Sequence, residues 1–283
     1  MKTWKKVVSV CLMLALVVSL VPVTKAEAKN KTTKDTLLVG EKVTYSIYGG
    51  KIKSVSTSKK SVATVKKSGY KVMVTAKKKG SASIKIKTTN GTLTYKLTVK
   101  KNSFSYSMKK MTDGGILVTI KNNSGVYIDS AKFQYTLKNA DGAVVESDTV
   151  SVYYMIPGKL AYAQIYYNKY SFDPDVSRCT LAMVDHYRNL TSSYKYTNRT
   201  SSIKYSLNEA GSNKTITFSN TSKVTISGKA DIFYKDAAGN VIDYDSASLY
   251  LSAKGVYTKN LYPPTGGYAS IQIIPRAYSM TRK

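Results

Sequence analysis

The chain has 283 residues, of which 42% are hydrophobic, so it has room for two or three domains with buried cores. It carries 44 Lys and Arg against 16 Asp and Glu, and it has one His, two Cys and 24 Tyr. The scarcity of His and Cys argues against a zinc site of the usual kind and against a disulfide framework. Catalysis that depends on histidine would have to use a single imidazole.

The N-terminal segment has the three parts of a secretory signal peptide. Lysines within the first six residues precede an apolar run from Val7 to Val23, and Ala26-Glu27-Ala28 then places small residues at the two positions that a signal peptidase recognises. We expect residues 1–28 to be removed by cleavage after Ala28. The mature chain would then be secreted, with no transmembrane segment of its own. The alternative is an uncleaved membrane anchor.

Positive charge is concentrated in the first quarter of the mature chain. Residues 29–101 contain 19 Lys and only two acids, for a net charge of +17. Residues 102–200 hold 11 basic and 8 acidic groups, and residues 201–283 hold 10 and 5. The bases of the first part are all Lys, which suits tolerant attraction, whereas Arg would be expected for bidentate recognition of one phosphate or carboxylate. The distribution indicates a single electrostatic module.

Alternating apolar and polar runs bounded by turn residues occur throughout the mature chain, and no segment keeps a helical period. This pattern predicts an all-β chain of sandwich domains. The strand candidates are Val43–Ile47, Lys71–Ala76, Ala82–Thr88, Thr92–Lys100, Gly115–Lys121, Ala131–Leu137, Ala161–Tyr167, Thr180–Val184, Lys214–Phe218, Ala230–Tyr234 and Ser270–Pro275.

One hairpin can be placed in register from the sequence. Asn90-Gly91 is a two-residue turn signal, and pairing across it sets Ile86 opposite Tyr95 and Lys85 opposite Lys96. Two directly opposed lysines destabilise a strand pair slightly. They either protect an exposed sheet face against aggregation or await an anion that supplies the missing countercharge, and both explanations stay open.

Residues 33–100 resemble the bacterial immunoglobulin-like group 2 family. SVATV at 61–65 is followed by AKKKGSASIKI at 76–86 and by LTYKLTV at 93–99. The family often has an aromatic residue ahead of the first motif, where this chain has Val55 and Ser56. The resemblance implies an extracellular β-sandwich that acts as a spacer or binding module and brings no catalytic residues.

The rest of the chain contains an internal repeat. TIKNNSGVYIDSAKFQYTLKNADGAVV at 119–145 aligns with TFSNTSKVTISGKADIFYKDAAGNVI at 217–242, so that Asn122 falls on Asn220. A spacing near one hundred residues is that of a duplicated domain rather than of a solenoid. The pattern is similar to FxLYD-type sandwich domains of exported proteins, although the motif that names that family is absent.

These observations predict three tandem immunoglobulin-like β-sandwich domains after a cleaved signal peptide. The expected limits are 33–101 for a basic first domain, 102–192 for the first repeat and 200–283 for the second repeat. A polar stretch from Thr191 to Ser202 is expected to join the two repeats.

Few residues offer catalytic or metal-binding chemistry. Cys179 shares strand alternation with Leu181 and Met183, which favours a buried thiol over one exposed for intermolecular pairing. His186 lies too far along an extended strand to pair with Cys179 and is expected at the surface or at a strand end. Asp173-Pro174-Asp175 offers fewer donors than Ca²⁺ requires, so a turn is favoured. We therefore predict no catalytic residues, no cofactor and no metal site.

Lysines and tyrosines are the candidate contact residues. The candidate polyanion-binding lysines are Lys59, Lys60, Lys66, Lys67, Lys77, Lys78, Lys79, Lys85, Lys87 and Lys96. Adjacent tyrosines of a strand point to opposite faces, so one of each pair is expected to meet solvent or an interface. The candidate partner contacts are Tyr153, Tyr154, Tyr166 and Tyr167. The structural alternatives are solvation of the lysines and partial burial of the tyrosines within the sandwiches.

The sequence thus predicts a secreted or cell-surface, non-enzymatic binding or adhesion protein. The Lys-rich domain would attach to anionic cell-wall polymer or acidic glycan, and the repeats would contact a protein partner. Sequence-specific nucleic-acid binding is not expected, because export and the missing Arg argue against it. A structural spacer with no polyanion ligand and, least favoured, a glycan hydrolase with an unrecognised carboxylate site stay open.

Overall fold

The computed structural model describes residues 30–48, 50–112, 115–188, 194–210 and 213–282. Within them the chain forms β-strands arranged in six sheets and one short 3-10 turn, with no α-helix. The predicted all-β chain of three tandem immunoglobulin-like sandwiches is confirmed, since each sandwich has two sheets and a core of its own. The described part of the chain holds no helix of the length and apolarity that a membrane crossing would need.

The first sandwich packs a four-stranded sheet against a three-stranded one. Its strands are β1 (Lys31–Leu38), β2 (Lys42–Ser46), β3 (Ile52–Thr57), β4 (Ala63–Ser68), β5 (Lys71–Ala76), β6 (Gly80–Thr88) and β7 (Gly91–Lys100). The strand orders are β1-β7-β6-β3 and β2-β5-β4, and β1 runs parallel to β7. Successive side chains of a strand point to opposite faces, so alternate Val, Ile and Leu residues of both sheets fill the core between them.

The predicted register of the β6–β7 hairpin is wrong by two residues. Thr88 pairs with Gly91 and Ile86 pairs with Leu93, so the two-residue turn is Thr89-Asn90 rather than Asn90-Gly91. The Thr88 hydroxyl closes this loop, because it donates to the Gly91 carbonyl at 3.0 Å and accepts from the Asn90 amide at 3.2 Å. The observed register thus allows a side chain to hydrogen-bond across the turn.

The register correction changes the neighbours of the outward lysines but not their face. Lys85 lies opposite Thr94 rather than Lys96. A slip of two residues keeps every side chain on its predicted face, because the side-chain period of a strand is two. Lys96 still has a lysine beside it, since the parallel pairing of β1 sets Lys34 next to it.

The second sandwich has two three-stranded sheets. Its strands are β8 (Phe104–Lys110), β9 (Gly115–Asn122), β10 (Ile128–Lys138), β11 (Val144–Met155), β12 (Leu160–Tyr166) and β13 (Thr180–Tyr187). The strand orders are β12-β9-β8 and β11-β10-β13.

The third sandwich repeats this arrangement and adds one strand. Its strands are β14 (Tyr194–Asn198), β15 (Ile203–Asn208), β16 (Thr215–Asn220), β17 (Ile226–Lys235), β18 (Val241–Leu251), β19 (Val256–Asn260) and β20 (Ser270–Arg282), with the 3-10 turn at Thr200–Ser202. The strand orders β15-β16-β19 and β14-β20-β17-β18 match those of the second sandwich, so the repeat is confirmed. The additional β14 lies in the polar stretch predicted to join the repeats and ahead of the expected start at residue 200.

A buried asparagine organises each repeat in the same way. The Asn122 amide donates to the carbonyls of Val126 and Met155, both at 2.8 Å, and its oxygen accepts from the Ser124 amide and hydroxyl. Asn220 makes the equivalent bonds with Val224, Leu251, Ser252 and Ser222. The asparagine that the sequence alignment matched is therefore the side chain that closes the loops at this end of each sandwich.

The second and third sandwiches pack against each other through sheet faces. Met111, Leu117 and Tyr162 of the second sandwich form one buried cluster with Phe233 and Tyr244 of the third. The Tyr162 and Phe233 rings meet edge to face with centroids 4.9 Å apart. These side chains stand on the outer faces of the two sheets, so the apolar residues of these faces are covered by the neighbouring sandwich.

A buried ion pair of the third sandwich lies at the same contact. Asp231 is fully buried, and Arg276 donates to its carboxylate from Nε at 2.8 Å. The Arg276 Nη1 also donates to the carbonyls of Tyr153 at 2.7 Å and Tyr154 at 3.0 Å. Successive carbonyls of a regular strand point in opposite directions. The positive φ of Tyr154, 55°, breaks that alternation and lets both carbonyls meet one guanidinium.

The first and second sandwiches meet through one buried leucine and a group of charged side chains. Leu38, at the end of β1, is fully buried in the second core. Glu41 accepts hydrogen bonds from Arg188 Nη1 at 3.0 and 2.8 Å, and His186 Nε2 lies 3.0 Å from the same carboxylate. Arg188 also donates to the Tyr127 carbonyl. One carboxylate of the first sandwich thus joins two basic side chains of the second.

Candidate polyanion interface

The outer face of the four-stranded sheet in the first sandwich carries lysines among hydroxyl side chains. Strand pairing arranges them in rows: Ser54, Lys87 and Thr92; Ser56, Lys85, Thr94 and Thr32; Ser83, Lys96 and Lys34; Ser81, Thr98 and Thr36. We call this surface the lysine–hydroxyl face. Its rows contain no carboxylate, so the ammonium groups have no countercharge on the sheet itself.

The two carboxylates of the first sandwich are engaged elsewhere. Asp35 lies between two outward residues of β1 and so faces inward, where it accepts a hydrogen bond from the Tyr45 hydroxyl at 2.6 Å. Glu41 is buried against Arg188 and His186. Among the described residues, no lysine of the first sandwich forms an ion pair with a carboxylate.

The surroundings of these carboxylates shift the pKa of Glu41 and of the Tyr45 hydroxyl. Burial alone would raise the pKa of Glu41, but its hydrogen bond with His186 and the charge of Arg188 outweigh this and hold the pKa below the ordinary value. Burial, followed by the charge of Asp35, raises the pKa of the Tyr45 hydroxyl, which therefore stays a donor. Both carboxylates therefore have partners within the fold.

Five of the predicted lysines lie in two turns that contact each other. Lys59 and Lys60 belong to the β3–β4 connection, and Lys77, Lys78 and Lys79 belong to the β5–β6 connection. The amides of two of the latter donate to one carbonyl of the former turn, at 2.8 and 3.3 Å. These lysines form a second positive region at the sandwich end, separate from the lysine–hydroxyl face.

Two other candidates lie apart from both regions. Lys66 is exposed on β4, which belongs to the smaller sheet. Lys67 donates from Nζ to the Ile52 carbonyl at 2.6 Å, so one of its donor positions is used within the sandwich. The structure therefore brings Lys85, Lys87 and Lys96 together and adds Lys34, which the sequence interpretation missed, while the remaining candidates lie on other surfaces.

The four predicted tyrosine contacts divide between solvent and the interior. Tyr166 is 74% exposed and Tyr153 is about half exposed, whereas Tyr167 packs against the second core. Tyr154 lies among the aromatic rings between the second and third sandwiches, with its centroid 5.8 Å from that of Tyr278. Tyr154 thus serves a contact within the chain rather than an exposed surface.

A cavity of about 450 Å³ opens beside this aromatic cluster. Tyr127, Tyr196 and Tyr278 line it, and the first ring lies 4.5 Å from each of the other two. The Tyr196 hydroxyl donates to the Asp129 carboxylate at 3.1 Å. The aromatic faces are already stacked on one another, so the cavity belongs to the packing between the sandwiches.

The residues considered for catalysis or metal binding have structural partners. Cys179 is buried, as predicted, and its thiol donates to the Asp175 carbonyl at 3.2 Å. The Asp175 carboxylate accepts from Ser177 and Arg178, and Asp173 pairs with Lys110. No group of three or more His, Cys, Asp or Glu side chains in the described ranges could hold a metal ion.

His186 lies near the end of β13, one of its two expected placements, and not on the open surface. Its side chain is 13% exposed and lies against Glu41, 145 residues away along the chain. Nothing near His186 in the sequence signals that contact. Both residues have ordinary local sequences at strand ends, and they meet only because the first and second sandwiches pack together. The predicted cleavage site at Ala28 lies outside the described residues.

No family model matches the chain, and the search of curated proteins found no match. Among solved structures, the chain is similar to the I9–I11 tandem from titin, with 11% sequence identity over 83% of this chain and 97% of that chain, at a TM-score of 0.25. A superposition this loose carries no argument. The assignment of three sandwiches rests on the sheets and cores of the chain itself, and membership of the bacterial immunoglobulin-like group 2 family stays a prediction.

Proposed function

We propose that this protein is an exported, non-catalytic binding protein whose first sandwich attaches to anionic cell-wall polymer or acidic glycan. The observation that supports this is the lysine–hydroxyl face, where four lysines lie in rows with serine and threonine and without a carboxylate. A surface of one sign attracts polyanions with a strength that falls as salt rises. Hydroxyl groups between the ammonium groups add donors for phosphate or carboxylate oxygens.

The other two sandwiches fit the role of a carrier in this proposal. They hold most of the acidic residues that follow residue 28, and their mutual contact buries an apolar cluster. The carrier would keep the first sandwich oriented on the cell surface, and exposed tyrosines such as Tyr153 and Tyr166 would be available to a protein partner. Cleavage after Ala28 would release this chain outside the cell, where it stays associated with the wall or is secreted.

The test is retention of residues 29–283 on purified bacterial cell walls, native and stripped of anionic polymer, over a salt series. A face variant carries Lys34→Gln, Lys85→Gln, Lys87→Gln and Lys96→Gln. A control variant removes four exposed lysines of the other sandwiches, at Lys121, Lys132, Lys159 and Lys204. Both variants lose the same net charge, so they separate a local surface from overall charge.

We expect the wild type and the control variant to bind native walls at low salt and to lose binding when the walls are stripped. The face variant should bind more weakly and with a smaller dependence of log affinity on log salt, because fewer ammonium–anion contacts form. Equal retention of the face and control variants would contradict the proposed surface. No retention of the wild type on any wall would favour the structural spacer instead.

A further inference from the structure

The end of the first sandwich farthest from the second carries two exposed tyrosines. Tyr48, which follows β2, is 87% exposed, and Tyr70, in the turn between β4 and β5, is 66% exposed. Because β1 ends at Leu38 in the second core and β2 begins beside Glu41, the far ends of these strands point away from the rest of the chain. We call this end, with Tyr48, Lys51, Tyr70 and Lys71, the tyrosine tip.

Hydrogen bonds tie the turns of the tyrosine tip together. The Ile47 amide donates to the Tyr70 carbonyl at 2.9 Å, which joins the two segments that carry the tyrosines. The Lys51 amide donates to the Thr89 hydroxyl at 3.1 Å, and the Thr89 amide donates back to the Lys51 carbonyl at 3.0 Å. The exposed rings are thus mounted on three connected turns rather than on isolated loops.

One glycine makes this close approach possible. Gly50 has a φ of 145°, and a Cβ atom there would lie 2.7 Å from the Thr89 hydroxyl oxygen. Any other residue would push the turns apart and would have to adopt a backbone conformation that L-residues rarely take. The arrangement at the tip therefore depends on the sequence at that position.

The charge of the tyrosine tip is positive. Lys51 and Lys71 are exposed beside the two tyrosines. Neither acid of the first sandwich neutralises these lysines. Asp35 accepts a hydrogen bond from Tyr45 in the interior, and Glu41 lies at the opposite end of the sandwich. Two exposed aromatic rings and ammonium groups without a carboxylate partner therefore lie at the same end of the sandwich.

We propose that the tyrosine tip binds an acidic polysaccharide, with Tyr48 and Tyr70 against sugar rings and the neighbouring lysines against its charged groups. The apolar face of an aromatic ring suits the C–H face of a sugar, and the tyrosine hydroxyl can hydrogen-bond at the ring edge. Positive tips repel each other, which argues against a second copy as the occupant. This inference rests on the proposed function and narrows the ligand from any polyanion to one built of sugar rings.

The test compares two negatively charged polymers, of which only one contains sugar rings. Polygalacturonate offers carboxylates on sugar rings, and linear polyphosphate offers charge without rings. The mature chain is measured as wild type, as the tip variant Tyr48→Ser with Tyr70→Ser, and as the control variant Tyr250→Ser with Tyr262→Ser. The control removes two tyrosines of the third sandwich that are 79% and 74% exposed. Circular dichroism melting curves establish that each variant keeps the fold.

We expect the tip variant to bind polygalacturonate about tenfold more weakly than the wild type while its affinity for polyphosphate stays the same. The control variant should bind both polymers like the wild type. A tip variant that binds polygalacturonate normally, or that loses both polymers equally, overturns this inference alone. A wild type that binds neither polymer overturns the proposed function and this inference together.

Discussion

The two contacts between neighbouring sandwiches are built differently. The contact between the second and third sandwiches combines an apolar cluster with the Asp231–Arg276 pair, whose side chains are 0% and 3% exposed. The contact between the first and second sandwiches depends on Leu38 and on the Glu41 carboxylate with its basic partners. The contact between the second and third sandwiches resembles a domain core. The contact between the first and second sandwiches is a local group of hydrogen bonds and ion pairs around one buried leucine.

The difference between the two contacts separates the second and third sandwiches, which pack face to face, from the first sandwich, which is joined to the second at its end. The two repeats have matching strand orders and an equivalent buried asparagine, and the sheets that face each other bury apolar residues of their outer faces. The outer face of β16 and β19 is exposed and mixed, since the hydrogen-bonded Thr217 and Thr258 share it with the exposed Val256. The repeats therefore have equivalent cores but cover different outer faces, that of the β12-β9-β8 sheet in the second sandwich and that of the β14-β20-β17-β18 sheet in the third.

The largest effect is expected from Arg276→Ala. The change leaves the Asp231 carboxylate buried without its cationic partner and removes the side-chain donor to the carbonyls of Tyr153 and Tyr154. Breaking a buried pair in this way costs about 3–5 kcal/mol. The free energy of unfolding of residues 29–283, measured by urea denaturation with circular dichroism, should fall by that amount.

A double variant, Asp231→Leu with Arg276→Met, separates the value of the pair from the cost of an unpaired charge. It should be more stable than Arg276→Ala, because no charge is then left buried. If the double variant is the less stable of the two, the contact depends on the ion pair itself and the comparison with a domain core fails.

Asparagine variants test whether the repeats unfold as one unit. Asn122→Ala and Asn220→Ala each remove one side chain that joins several buried carbonyls. Each should lower the free energy of unfolding by about 1–3 kcal/mol, because buried acceptors lose their donor. If the second and third sandwiches are one cooperative unit, both variants shift the same urea transition. Separate transitions, one for each variant, would show that the facing sheets do not couple the repeats.

The sequence predicted what depends on local pattern and missed what depends on contacts distant along the chain. The alternation of Lys71–Ala76 matches β5 without error, and the aligned asparagines are structural equivalents. Glu41 could not be connected to Arg188, 147 residues later, because each has an ordinary local sequence. Lys34 was missed as part of the lysine–hydroxyl face because a parallel pairing leaves no hairpin signal between its strands.

Glu41→Gln tests the contact of the first sandwich. The variant keeps the shape of the side chain but loses its charge, so its hydrogen bonds to Arg188 weaken by about 1–2 kcal/mol. The Leu38 amide, which donates to Glu41 at 2.7 Å, should exchange its proton faster in the variant while amides in the core of the third sandwich stay unchanged. Unchanged exchange at Leu38 would mean that apolar packing alone holds the contact.

The same contact should depend on pH in a defined direction. The pKa of Glu41 lies below its ordinary value of 4.5 in the folded chain. Its contribution is therefore present above pH 4.5 and is lost as the pH falls through the lower, folded value. Exchange at Leu38 should accelerate in the wild type over that acidic range beyond the intrinsic pH dependence, and Glu41→Gln should lack this added step. An equal profile for both chains would assign the pH dependence to other groups.

The smallest effect concerns the charge of the first sandwich. Lys34 and Lys96 are neighbours on the lysine–hydroxyl face, and like charges in paired positions of a sheet are destabilising. Lys34→Thr should therefore raise the stability of the first sandwich by about 0.2–1 kcal/mol at low salt, with no gain near 1 M salt, where the repulsion is screened. Lys121→Thr on β9 controls for the β-propensity of threonine, since Lys121 pairs with Ser105 and Leu160. A salt-independent gain of the same size in both variants would trace the effect to the β-propensity of threonine. A gain confined to Lys34→Thr at low salt would show that repulsion between the lysines destabilises the lysine–hydroxyl face. An anion bound to that face would then relieve the repulsion.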